Sequence, residues 1–258
     1  MSEFCEQKIK GEVLQKFEFE GKLAAIVKLG PEDADTFADD LHEHAFNLAK
    51  NQETPNGSQD NEEVKVVVSG LGRKFAGLLG KLIKRDRSDL TARIESVTEG
   101  RKRSFEHMIK EGEDWNGNET EFLGVYLDGR IVSIMGVRKR EKLSSGRQIY
   151  ELTSGSTLID ADDDGQPKYA QKGFSKNLKK TLFDQKMAGD PDAVWMGDSK
   201  NPNVIASWER SGWTVVDVDD PSEFAGIFRQ RNADHLDVYR KGVYKISYAD
   251  PKVNVLKW

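Results

Sequence analysis

Apolar and polar positions change rhythm several times along the chain. Residues 23–29 (LAAIVKL) form a short, nearly continuous apolar run that predicts a strand. Pro31, Glu32 and Asp33 then open an acidic helix carrying Phe37, Leu41, Ala45 and Leu48 at helical spacing, since proline and acidic residues suit a helix N-terminus. Residues 51–63 (NQETPNGSQDNEE) are polar, lack periodicity and contain a Pro-Asn-Gly turn signal, so they read as a loop or linker. Residues 64–68 are a short β-branched run. Phe75, Leu78, Leu79, Leu82 and Ile83 mark an amphipathic helix, and a second helix is predicted over residues 90–109. From Phe122 the period becomes two. Residues 122–127 and 130–137 flank Asp128-Gly129, a hairpin signal because Asp-Gly supplies the positive φ angles of a type I′ turn. A third strand follows from 148 to 152, extending toward 159. After a polar loop come a helix over 174–187, a strand over 193–196, a helix over 204–210 and a strand over 214–218. The alternation in residues 236–248 (LDVYRKGVYKISY) predicts one or two further strands. This order fits a mixed sheet of the α+β kind.

The chain has 258 residues, enough for one large domain or two small ones. Its charged share of 32% exceeds the typical value of about 25% and predicts a strongly solvated surface. The net charge of −5 argues against a generally basic nucleic-acid binder. The single cysteine, Cys5, excludes an internal disulfide framework and a multi-cysteine zinc site. No apolar run reaches membrane-spanning length, and the N-terminal residues lack a basic segment followed by an apolar one. The expectation is a soluble cytoplasmic protein.

The chemistry is concentrated downstream. In residues 169–182 (YAQKGFSKNLKKTL) a loop ending in Gly173 feeds a helix with the apolar stripe Phe174, Leu178 and Leu182. Lys172, Lys176, Lys179 and Lys180 lie near its start. Glycine at a helix start lets backbone N–H groups approach a phosphate, and the helix dipole adds positive potential. One strand later, residues 201–213 (NPNVIASWERSGW) start a helix at Asn-Pro and end it at Gly212.

These segments resemble the GNAT superfamily of acyl-CoA-dependent N-acyltransferases. Ala170-x-x-Gly173-x-Ser175 falls on the family's (Gln/Arg)-x-x-Gly-x-(Gly/Ala) pyrophosphate loop. Asn201-Pro202, Trp208-Glu209-Arg210 and Gly212-Trp213 occupy the frame of its second motif. The hairpin over 122–137 matches the family's second and third strands, and residues 23–48 resemble its first strand and helix. The resemblance implies a mixed, mostly antiparallel central sheet flanked by helices. It also implies an acyltransferase-like domain over 23–218 with a polar insertion near 51–68, an N-terminal extension over 1–22, and C-terminal strands over 219–258 that complete or extend the sheet. The implied co-substrate is acetyl-CoA. Its pyrophosphate would contact Gly173, Phe174, Ser175 and Lys176, Asn201 would lie near its pantetheine arm, and Leu158, Ile159, Ala170, Gln171, Lys172 and Trp208 would also belong to the cofactor site. A backbone N–H around Leu158 would stabilise the oxyanion.

The sequence departs from the family in three places. Ala170 stands for the usual Gln/Arg unless Gln171 takes its role, Ser175 for the second small residue, and Trp208 for a tyrosine that often protonates the leaving thiolate. Water, Ser207 or Ser211 would then supply the proton, or none is needed, or catalysis is lost. An attacking amine must be deprotonated, so a carboxylate base is required, with Glu151 first and Asp198 second. The acceptor amine is unidentified; an acidic chain suits a polyamine, an aminoglycoside or a lysine side chain. The alternative is a catalytically inactive GNAT-like module that binds protein or nucleic acid through the basic helices between Lys74 and Lys110. A nucleic-acid-directed acyltransferase is a third reading, and no membrane contact is expected.

Three further patterns lead nowhere in the sequence. Asp160-x-Asp162-x-Asp164-Gly165 begins like a calcium loop but lacks the closing glutamate, because position 171 is Gln. His42-Glu43-His44 lacks zinc spacing. Gly80-Lys81 lacks the Gly and Ser/Thr of a phosphate loop.

Overall fold

The computed structural model of the chain describes residues 11–53, 73–158, 168–169 and 172–257. The strands are β1 Glu12–Phe19, β2 Lys22–Leu29, β3 Thr120–Leu127, β4 Arg130–Lys142, β5 Gln148–Thr157, β6 Val194–Ser199, β7 Thr214–Asp217 and β8 Lys245–Ala249. The helices are α1 Pro31–Thr36, α2 Ala38–Glu53, α3 Arg73–Glu111, α4 Phe174–Gly189, α5 Pro202–Arg210, α6 Glu223–Arg231 and α7 Leu236–Lys241. One sheet runs in the order β1-β2-β3-β4-β5-β6-β8-β7. Its neighbours are antiparallel except β5 and β6, which are parallel. This is the mixed, mostly antiparallel sheet flanked by helices that the sequence predicts.

Local chemistry sets most of these elements. Asp128 and Gly129 adopt φ of 54° and 87° between β3 and β4, as a type I′ turn requires. Asp33 accepts the Gly30 amide through its carboxylate and caps the start of α1. Phe174, Leu178 and Leu182 bury one stripe of α4.

The structure corrects four expectations. Residues 12–19, read as an extension, form β1, paired with β2 through a second tight turn in which Glu20 and Gly21 have φ of 50° and 75°. The single acidic helix is broken at Phe37, which leaves helical geometry to bury its ring. The two helices predicted over 75–109 are one continuous helix of 39 residues, because nothing between them removes a backbone donor or favours a turn. Residues 236–248 are helix α7 followed by β8, divided where Gly242 ends the helix and Val243 takes φ of 53°. Cys5, the run 64–68 and the aspartates of 160–165 lie outside the described residues.

Apolar side chains fill both faces of the sheet. Trp195, Met135, Val137 and Leu123 pack under α4 and α5 with Phe174, Leu178, Leu182 and Trp208. On the other face Phe122, Ile131 and Ile134 pack under α1, α2 and α3 with Phe37, Leu41, Phe105 and Met108. Ile149, Val194, Met196 and Ile246 continue a core with Phe224 and Phe228 of α6.

His44 of α2 lies fully buried in this second layer. Its Nε2 donates to the Ile131 carbonyl at 3.0 Å, which leaves Nδ1 to accept from Ser156 Oγ at 3.1 Å. Burial, aided by Arg130, lowers its pKa to about 4. Because the folded value lies below the unfolded one, the neutral ring's contribution is complete above pH 6.5 and is lost as pH falls to about 4. The expected loss across that window is about 3 kcal/mol. Urea unfolding of the wild type and of His44→Gln should show it, as a pH slope between 6.5 and 4 that is flatter in the variant.

Candidate active site

The strand pair β5–β6 defines the place. It is paired only at Ile149–Val194, Tyr150–Trp195 and Glu151–Met196, after which both strands continue without pairing to each other. Beyond that point β5 carries a bulge against β4, where Ile134 pairs with Ser156 but Gly136 with Thr153. Ser154 inside it takes φ of 57°. A bulge leaves its extra residue outside the ladder and re-aims backbone groups, here beside the parting strands. Leu158 lies past the bulge with its side chain in the core, and its N–H donates to the Val132 carbonyl at 2.9 Å. That amide is therefore occupied. Ile159, Ala170 and Gln171 lie outside the described residues.

One face of the opening is basic. Gly173 adopts φ of 84° at the N-cap of α4, and a Cβ there would meet nothing within 4 Å. The α4 start is anchored from below, where the Phe174 ring packs 4.8 Å from that of Phe19. The first-turn amides of Phe174, Ser175 and Lys176 have no carbonyl of the preceding helical turn to bond. Lys172 pairs with Glu20 at 3.1 Å. Lys179 is 5% exposed, and burial followed by repulsion from Lys176 and Arg210 lowers its pKa to about 8. Among the described residues no carboxylate is paired with Lys176, Lys179 or Arg210. This charge distribution suits an anion such as a phosphate.

At α5, Asn201 Oδ1 accepts the Asn203 amide at 2.9 Å, so this side chain caps the helix. Trp208 is buried and lies parallel to Trp213 at 6.0 Å between centroids. A Cβ on Gly197 would stand 3.1 Å from the Trp208 ring, so glycine lets the indole lie flat against β6. Ser211 Oγ donates to the Ser207 carbonyl.

The opposite face is a charged cluster. Glu151 is buried and holds two arginines, accepting from Arg140 Nε at 2.5 Å and Arg231 Nη1 at 2.9 Å. Arg231 also reaches Glu141 Oε1 at 3.3 Å. Asp198 lies on β6 two residues past Met196, on the same face as Glu151. Burial, then the negative charge of Glu151, raises its pKa to about 7 against the opposing pull of Arg231, Arg138 and Arg140. Among the described residues no side chain hydrogen-bonds to it. Burial, then the charge of Asp198, raises the pKa of Tyr239 and Tyr244, whose rings meet edge to face at 4.8 Å. Arg101, expected on a solvated helix face, turns inward toward Tyr244.

Of the residues singled out in sequence, Gly173, Lys176 and Lys179 lie at the start of α4, and Glu151 and Asp198 share one face of the sheet; Arg138, Arg140, Arg231 and the two tyrosines beside that face were not singled out. Arg138 and Arg140 alternate on β4, a signal that one face of that strand turns charged. The metal-like histidines diverge: His42 faces Glu99 at 3.5 Å, whereas His44 is buried. No helix among the described residues is long and apolar enough to cross a membrane.

No protein-family model matches the chain, and no curated protein matches it in sequence. Solved structures are similar to it in shape. One is a PaiA N-acetyltransferase from Thermoplasma acidophilum in complex with coenzyme A, with a TM-score of 0.46, 13% identity, and coverage of 88% of this chain and 98% of that one. Another is a putative GNAT-family acetyltransferase from Desulfovibrio desulfuricans, with a TM-score of 0.41, 12% identity and the same two coverages of 88% and 98%. A third is apo FdhC, described as a nucleotide-linked sugar GNAT, with a TM-score of 0.40, 7% identity and coverage of 94% and 92%.

Proposed function

We propose that the protein is an acetyl-CoA-dependent N-acetyltransferase that draws donor and acceptor from opposite faces of its sheet to the gap where β5 and β6 part. The observation that carries this reading is Asp198. It is a carboxylate without a hydrogen-bonding partner among the described residues, two residues beyond the last β5–β6 pair, with a pKa of about 7. A general base works best when its pKa lies near the operating pH. Glu151, the first candidate by sequence, is held by two arginines and serves better as a fixed charge that tunes Asp198.

In the proposed reaction the donor's phosphates lie at the α4 N-terminus, against the Gly173 loop with Lys176, Lys179 and Arg210 nearby. The neutral amine attacks the acetyl carbonyl, and its N–H proton passes to Asp198. Backbone N–H at the β5 bulge stabilises the oxyanion. Collapse forms the amide and releases the thiolate. Indole is not an acid, so Trp208 acts as an apolar wall, and thiolate departure requires no proton from it.

The test is calorimetric titration with acetyl-CoA of the wild type, Gly173→Glu and Gly173→Asn. Asparagine tolerates the left-handed conformation, whereas glutamate adds strain of roughly 1–2 kcal/mol and a negative charge. Binding is expected to survive Asn and to weaken at least tenfold with Glu. Absence of binding to the wild type overturns the reading and turns the search to macromolecular partners.

A further inference from the structure

The chemistry of the acceptor follows from a guanidinium with unmet hydrogen-bonding capacity on the face that carries Asp198; this inference rests on the acetyl-transfer reading. Arg140 and Arg231 are satisfied by Glu151, and Arg231 also by Glu141. Asp114 is occupied as well. Its Oδ1 accepts from the Asn116 and Asn118 amides, and both oxygens accept from Asn118 Nδ2. Arg138 differs. It forms an ion pair with Asp114 at 3.6 Å, too long for a hydrogen bond, and its buried Nε has no hydrogen-bond partner. The one hydrogen bond among the described residues that its guanidinium makes goes from Nη2 to the Met108 sulfur at 3.6 Å, a weak acceptor. Yet 23% of the side chain stays exposed.

A guanidinium in this state lacks the bidentate carboxylate that its geometry matches. It shares a face with Asp198. Arg138 pairs with Glu151 across β4 and β5, Glu151 pairs with Met196 across β5 and β6, and Asp198 follows two residues on. Two strand spacings, roughly 10 Å, and an offset of two residues along the strands separate the two backbones.

We infer that the acceptor is an amine that also bears a carboxylate, with its nitrogen at Asp198 and its carboxylate at Arg138. The experiment measures thiol release from acetyl-CoA with amines presented in pairs that differ only in the carboxylate: phenylalanine and phenethylamine, histidine and histamine, lysine and cadaverine. Losing a charge-assisted contact costs about tenfold or more in kcat/KM. At least one acid is expected to exceed its decarboxylated partner by that factor. Arg138→Met should bring the acid down toward its partner, with partial rescue by Arg138→Lys, which a purely structural role would not produce. If these variants do not fold, the wild-type pairs still decide. Equal rates within every pair, or preference for the decarboxylated amines, overturn the inference and leave acetyl transfer standing. Absence of thiol release with every amine, in protein that binds acetyl-CoA, overturns the acetyl-transfer reading and this inference with it.

Discussion

Asp198→Asn is expected to lower kcat for acetyl transfer by roughly 10²–10⁴-fold, the usual contribution of a positioned general base. Acetyl-CoA affinity should stay within about twofold, because Asp198 lies on the face opposite α4 and donates nothing to the phosphates. The wild-type rate should climb with pH through about 7 as Asp198 loses its proton, and the variant should lack that limb. Stability should move the other way. A raised carboxylate pKa favours the folded state at low pH, and that contribution is lost as pH rises through about 7. The asparagine variant should therefore melt no lower than the wild type at pH 8. Catalysis lost without stability lost separates a base from a structural residue. A variant that keeps its rate would remove Asp198 from the mechanism.

Glu151→Gln should have the largest effect on folding. The carboxylate is 8% exposed and ties Arg140 of β4, 9% exposed, to Arg231 of α6, 18% exposed. Breaking a buried ion pair on one side strands the other charges, at a cost of about 3–5 kcal/mol. Urea denaturation at pH 7 measures this directly. The same substitution removes the negative charge that helps raise Asp198, so the ascending limb of the pH–rate profile should move to lower pH. A loss below about 1 kcal/mol would show that solvent or neighbouring side chains compensate.

Much of the fold can be read from the sequence wherever a local rule decides it. Asp128-Gly129 specifies a turn regardless of context, and the i, i+4, i+8 stripe of Phe174, Leu178 and Leu182 specifies which side of α4 is inside. β1 escapes because its turn is Glu20-Gly21 rather than a strong turn pair, and because a bulge between Val13 and Gln15 interrupts its alternation. α7 escapes because LDVYRK alternates as well as any strand, and only Gly242 and Val243 separate it from β8.

The site divides in the same way. Gly173 and Asp198 are visible because glycine before a helix and a carboxylate after an apolar strand are local signals. The arginines are invisible because Glu151 meets Arg140 eleven residues away and Arg231 eighty residues away, separations set by strand order. Charge offers a similar lesson. A chain-wide total of −5 says nothing about the few ångströms around Asp198.

β6 is six residues long, and in the proposed reaction its alternate positions belong to different reactants. Trp195 and Gly197 look toward α4 and α5, whereas Met196 and Asp198 look toward the arginines. Donor handling and acceptor choice are thus written on interleaved residues of one strand, and point changes on either set can drift with little cost to the other. The arrangement makes acceptor preference readily evolvable under a fixed donor. Its vulnerability is to length rather than to substitution. Inserting or deleting one residue in β6 would exchange the two sets, turning the carboxylate toward the phosphates and presenting glycine to the amine.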